Sequence, residues 1–223
     1  MRGVSIVLLI VLCAPALFAQ GAVSGQVNLR ERAGETSEDL ADVIVWLEPA
    51  SAARARTTPV AATIDLKGRQ FSPRVRVVTE GSKVEFPNQD SFSHNVFSKA
   101  PDGAFDTGVF PRGRTRDQTF REAGVFPIYC NIHPRMTGYV VVLKSPYYAQ
   151  AGDDGRFSLA GVPAGSYVLH VWHDRAAETT KPITVGASGF SVGRVELDAS
   201  GYRYVQHKNK FGQEYTSASG DRY

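Results

Sequence analysis

Phe126-Pro127-Ile128-Tyr129-Cys130-Asn131-Ile132-His133-Pro134-Arg135-Met136 places a thiol, an imidazole and a thioether within one short turn-forming stretch. A second imidazole stands upstream at His94, in Phe86-Pro87-Asn88-Gln89-Asp90-Ser91-Phe92-Ser93-His94-Asn95-Val96-Phe97. There a strand-like run ends in turn residues and a second aromatic run begins. Around both stretches the chain breaks into short apolar and alternating runs. These predict strands at 61–66, 74–79, 83–87, 95–98, 116–121, 124–130 and 137–143, with Gly68, Gly81, Gly103, Gly113 and Gly124 at the joins. Short strands at this spacing, with turn residues between them and no amphipathic helical stripe, predict an all-β sandwich or barrel.

The cysteine count sharpens the reading. Residues 1–19 read as a secretory signal, with Arg2 as the charged start, Val4 to Leu12 as the apolar run and Leu17-Phe18-Ala19 as a small-residue cleavage site. The expected location is therefore periplasmic or secreted. Cys13 leaves with the signal, and Cys130 is then the only cysteine of the mature chain, so no internal disulfide can form. A lone cysteine in an oxidising compartment is either deeply buried or occupied as a ligand. Burial alone leaves His133 and Met136 unexplained. Two imidazoles and one thiolate in a plane, with a weak axial thioether, are the donors of a type 1 copper site. Zinc sites use thiolate and imidazole without the thioether.

The formal charge of +3, with acids and bases interspersed, argues against a nucleic-acid binder. The apolar part of the signal is too short for a transmembrane span, and no later run approaches the required length.

Phe86-Pro87-Asn88 with His94-Asn95-Val96, followed by Tyr129-Cys130-Asn131-Ile132-His133-Pro134-Arg135-Met136, resembles the cupredoxin family. The Cys-x2-His-x2-Met loop is similar to that of the amicyanin-like members. The resemblance covers residues 60–144 and implies a Greek-key sandwich holding one type 1 copper. His94, Cys130 and His133 would be its equatorial ligands and Met136 the axial one. It implies that the Asn95 amide hydrogen-bonds toward the Cys130 sulfur or ties the two ligand loops together, and that Phe92, Phe97 and Phe126 shield the metal. It further implies single-electron transfer without substrate turnover, between a protein donor and acceptor that dock near His133. Pro134 would extend the apolar surface there. A copper buffering or delivery protein is the alternative, and the lack of Met-rich or His-rich tracts argues against it.

Beyond Lys144-Ser145-Pro146, Asp153-Asp154-Gly155-Arg156-Phe157 and Pro163-Ala164-Gly165-Ser166-Tyr167 each read as a turn followed by a strand. They resemble the carboxypeptidase regulatory-like (transthyretin-like) β-sandwich. The fold class expected is thus all-β, a cupredoxin sandwich plus a second small β-sandwich. Strands expected at 22–30 and 42–48 have no role in the first of these. Residues 22–49 are therefore expected to join 146–200 in one discontinuous sandwich, with 60–144 inserted between them. His170, His173 and His207 read as surface residues. The tail 201–223 is expected to be either disordered or a docking strip.

Overall fold

The strands follow one another as β1 (Gln20–Arg30), β2 (Ile44–Pro49), β3 (Ala61–Thr63), β4 (Asp65–Lys67), β5 (Gln70–Ser72), β6 (Val75–Thr79), β7 (Ser82–Pro87), β8 (Phe97–Ser98) and β9 (Phe105–Asp106). Then come β10 (Thr115–Phe120), β11 (Gly124–Tyr129), β12 (Thr137–Leu143), β13 (Tyr148–Gln150), β14 (Arg156–Pro163), β15 (Gly165–His173), β16 (Ala176–Val185) and β17 (Phe190–Asp198). This computed structural model describes residues 20–51 and 56–215. The signal reading, Cys13 and the last residues of the tail lie outside the described residues. Among the described residues the helical content is one 3-10 turn at Leu40–Asp42, and no helix is long and apolar enough to cross a membrane.

The molecule is all-β and has two sandwiches. In the first, a sheet ordered β10-β7-β3 faces one ordered β6-β12-β11-β8-β9, with the β4–β5 hairpin beside them. Ile64, Phe86, Phe110, Phe120, Phe126, Ile128 and Val140 fill the space between. In the second, the sheet β14-β1-β17 faces β13-β2-β15-β16 over Val23, Val27, Val45, Leu47, Leu159, Leu169 and Leu197. β1 therefore lies between strands from the far end of the chain, antiparallel to β14 and parallel to β17. β2 likewise sits between β13 and β15. One turn shows how tightly this is drawn. Gly155 (φ +75°) follows Asp153-Asp154, and a Cβ there would lie 2.1 Å from the Val27 carbonyl oxygen. Only glycine suits that backbone and that approach.

A third apolar cluster joins the two sandwiches. Ile44, Trp46 and Trp172, on the outer face of β2 and β15, meet Val75, Val141 and Leu143 of β6 and β12. This explains why Ile44–Leu47 and Val140–Leu143 are continuous apolar runs, since strands covered on both faces lose the polar alternation. Polar contacts rim the cluster. The Arg74 guanidinium donates to both carboxylate oxygens of Asp174 at 2.7 and 2.9 Å and to Asp42 at 2.7 Å.

Three expectations need correction here. The predicted strand 61–66 breaks at Ile64, whose N–H turns to the Glu85 carbonyl (2.9 Å), and the chain re-enters as β4. His173, read as a surface residue, is fully buried, and its Nδ1 accepts the Arg175 N–H at 3.2 Å. Its ring lies against Asp39 (3.5 Å) and Asp174 (3.6 Å), and burial holds its pKa below the ordinary histidine value. His170 is also largely covered. It stacks on Trp46 (centroids 4.7 Å) and contacts Glu178 at 2.6 Å.

Candidate metal centre

His94 stands at the end of the turn that follows β7. Asn88 organises that turn, its Nδ2 donating to the Phe92 and Phe110 carbonyls and its Oδ1 accepting the Asp90 N–H. His94 then pairs with Phe110 through two main-chain hydrogen bonds (3.1 and 2.8 Å). The strand expected at 95–98 is shortened to Phe97–Ser98 because His94 and Asn95 are committed to this turn.

The His94 ring is fully buried, with Nε2 2.9 Å from Asp90 Oδ2. Burial pushes the Asp90 carboxyl up, but the amides of Arg69 and Gly68 (2.9 and 2.7 Å) and the ring itself outweigh it, so the acid lies below its usual range. An ionised carboxylate only accepts, which assigns the proton to Nε2 and leaves a lone pair on Nδ1. That Nδ1 is 3.6 Å from Cys130 Sγ.

His133 Nδ1 is also 3.6 Å from the sulfur. Burial, then the charges of His94 and Arg69, bring the His133 pKa down to about 4, against an opposing pull from Asp90. Burial likewise holds the His94 pKa below the ordinary histidine value, against the pull of Asp90, so both imidazoles are mainly neutral at pH 7. Burial pushes the Cys130 thiol up, while the backbone amides of Asn95, Ile132 and His133 act in the opposite sense. The sulfur, fully buried, needs a cation to remain a thiolate near neutral pH.

Donor atoms of His94, Cys130 and His133 all lie within 4.8 Å of one another. Bonds of about 2.0–2.1 Å to nitrogen and about 2.3 Å to sulfur, opened to between tetrahedral and trigonal angles, separate N from S by about 3.6–3.8 Å. The observed 3.6 Å distances therefore fit one small transition-metal ion. Met136 is buried behind the loop, its N–H donating to the His133 carbonyl (3.0 Å) and its carbonyl accepting the Cys130 N–H (3.2 Å). Both bonds close the Cys-x2-His-x2-Met loop on itself. Phe92 lies over the two imidazoles, 5.2 Å from each ring, and Arg69 sits above its outer side at 5.3 Å.

Asn95 has a clear geometric role. Its Oδ1 accepts the Asn131 N–H at 2.6 Å, tying the His94 turn to the Cys130 loop, while its Nδ2 reaches Asp106 at 3.2 Å. Two expected surroundings differ. Phe126 packs on Phe120 (5.2 Å) as core, and Pro134 is buried, so Ile132, 37% exposed, is the apolar side chain beside the half-buried His133. Sequence reasoning missed Asp90, although its position four residues before His94 was in plain view. The tail, expected to be disordered or a docking strip, packs on this loop instead: His207, read as a surface residue, is half-buried against Tyr129, and Lys210 and Tyr215 reach Asn131 and Cys130.

No family model matches the chain, and no curated protein matches it. Solved structures do. The copper-containing nitrite reductase of Thermus scotoductus SA-01 is 27% identical over 43% of this chain and 25% of its own length, with a TM-score of 0.36. A purple cupredoxin from Nitrosopumilus maritimus is 26% identical over 37% of this chain and 99% of its own (TM-score 0.34). The reduced state of an amicyanin mutant is 26% identical over 44% of this chain and 99% of its own (TM-score 0.36). The structural neighbours are cupredoxins. This chain thus spans about a quarter of the reductase and nearly all of the two small proteins.

Proposed function

We propose that this chain is an exported type 1 copper protein that carries single electrons between redox partners and turns over no substrate. The observation that carries the reading is the placement of Cys130 Sγ 3.6 Å from two neutral imidazole nitrogens inside a buried, hydrogen-bonded frame. His94, Cys130 and His133 would hold one copper ion, and Met136 would be the weak axial donor that separates this set from a zinc site. One-electron exchange between the cuprous and cupric states is the chemistry that copper supplies when bound. The protein's part is to fix the donors. Asp90 orients His94, Asn95 ties the two ligand loops, and the N–H groups facing the sulfur favour the thiolate. His133 is the partly exposed ligand, so its edge with Ile132 is the side on which a protein partner would dock.

We also infer that the copper-binding sandwich, residues 60–144, is inserted into a regulatory-like sandwich made of 22–49 and 146–200. The positions of β1 and β2 between strands that follow Ser145 support this.

The test is to add cupric ion to the metal-free protein and record its visible spectrum and reversible reduction. An intense thiolate-to-copper band is expected, abolished by Cys130→Ser. A band that survives that substitution, or a protein that takes up no copper, overturns the assignment.

A further inference from the structure

The chain beyond β17 leaves the second sandwich and crosses to the ligand loop. Arg32 fixes its start, donating to the Ser200 carbonyl at 3.1 Å and to that of Tyr202. Farther on, the His207 ring stacks on Tyr129 (centroids 4.5 Å). Lys210 donates its N–H to Asn131 Oδ1 at 2.8 Å, and its ammonium pairs with Asp106 at 2.6 Å. The Tyr215 hydroxyl donates to the Cys130 carbonyl at 3.2 Å. Three consecutive residues, Tyr129, Cys130 and Asn131, are each held by a different residue of the tail.

These contacts meet specific needs of the loop. β11 ends at Tyr129, so the Cys130 carbonyl has left the sheet ladder, and a main-chain acceptor at a buried residue requires a donor. Tyr215 supplies one. The Lys210 contacts close a ring of hydrogen bonds: the Lys210 ammonium and the Asn95 amide both donate to Asp106, the Asn131 N–H donates to Asn95 Oδ1, and the Lys210 N–H donates to Asn131 Oδ1. Both ligand loops belong to that ring. A polar segment such as Gly201–Tyr215 has no core of its own to order it, so its order comes from these contacts.

We propose that residues 201–215 are a strap that forms part of the metal centre, with Lys210 and Tyr215 as positioning residues for Cys130 and His207 as the cover over Tyr129. The strap brings the second sandwich to bear on the ligand loop through a segment that supplies no ligand. Its consequence for electron transfer rests on the copper reading, whereas its hold on the loop belongs equally to the metal-free protein.

The test uses the full-length chain, metal-free, carrying His207→Ala, Tyr215→Phe, Lys210→Pro (which removes both the amide donor and the ammonium), or the last two together. Alkylation of Cys130 by iodoacetamide is followed over time. Tyr215→Phe deletes a single hydroxyl, so a general folding defect is not expected of it. Its rate should rise a few-fold, and that of the double variant by about tenfold or more, because the buried thiol reacts through local opening of its loop. The copper-loaded variants should show a displaced thiolate-to-copper band, a readout that a remote structural role would leave in place. Unchanged alkylation in the double variant overturns the strap. Faster alkylation in a protein that binds no copper sustains the strap and removes the copper reading instead.

Discussion

Asp90 shows how much one carboxylate decides at this centre. It sets the His94 tautomer through the 2.9 Å contact with Nε2, and it is itself pinned by the amides of Gly68 and Arg69. A negative charge one imidazole away from a copper ion favours the cupric state. Asp90→Asn is therefore expected to raise the reduction potential by roughly 50–100 mV, about 1–2 kcal/mol at an effective dielectric near 20. A redox titration that finds no rise would remove Asp90 from this role. Met136→Gln should move the potential the other way, because a harder oxygen donor favours Cu(II), and the same titration reads it. The grouping of His94, Cys130 and His133 was legible in the sequence because two of these proposed ligands, with Met136, share one short loop whose spacing is set by local geometry. Asp90 was not assigned a role, since that role depends on Gly68 and Arg69 approaching from another hairpin. The strap residues were equally silent, because contacts to main-chain groups leave no periodic trace.

Among the elements, β12 and β2 explain how the two sandwiches are joined, each burying side chains on both faces. The Arg74 and Asp174 pair beside that junction makes its stability pH-dependent. Burial would raise the Asp174 pKa, but the hydrogen bonds and charge of Arg74 outweigh it and hold the acid below its normal range. A depressed carboxylate pKa adds stability that is fully present above the unfolded value, near pH 4, and is lost as pH falls through the folded one. Asp174→Asn should cost about 2–3 kcal/mol at pH 7, between the figures for exposed and buried pairs. It should also flatten the acid limb of the stability curve, and chemical denaturation at pH 7 and pH 3 measures both. An identical loss at the two pH values would exclude the ion pair as the cause. Strands with a clean apolar pattern, such as β11 and β12, were readable from sequence. β16 was not, because most of its side chains are outside the core and only Ile183 and Val185 are buried. His173 was misread because what covers it is a meeting of distant segments, which no window of sequence contains.

For the whole molecule, the prediction concerns which parts fold together. β14 and β17 are not neighbours but flank β1, and β13 touches β15 only through β2. A chain joining residue 49 to residue 146 through a short Gly/Ser linker should therefore unfold cooperatively, while 146–200 alone should not, lacking the strand that sits inside each of its sheets. Equal stability of the two in urea titrations would refute the insertion. The parallel pairing of β1 with β17 has one more consequence, in time rather than space. At about 5–20 residues per second of synthesis, β1 is made roughly 8–30 s before the strand that completes its sheet. All four proposed copper ligands are made within that interval. The nascent chain can thus finish the metal-binding sandwich first and hold β1 as an unpaired edge in the meantime, so that any holding factor acting during biogenesis has β1 as its natural target.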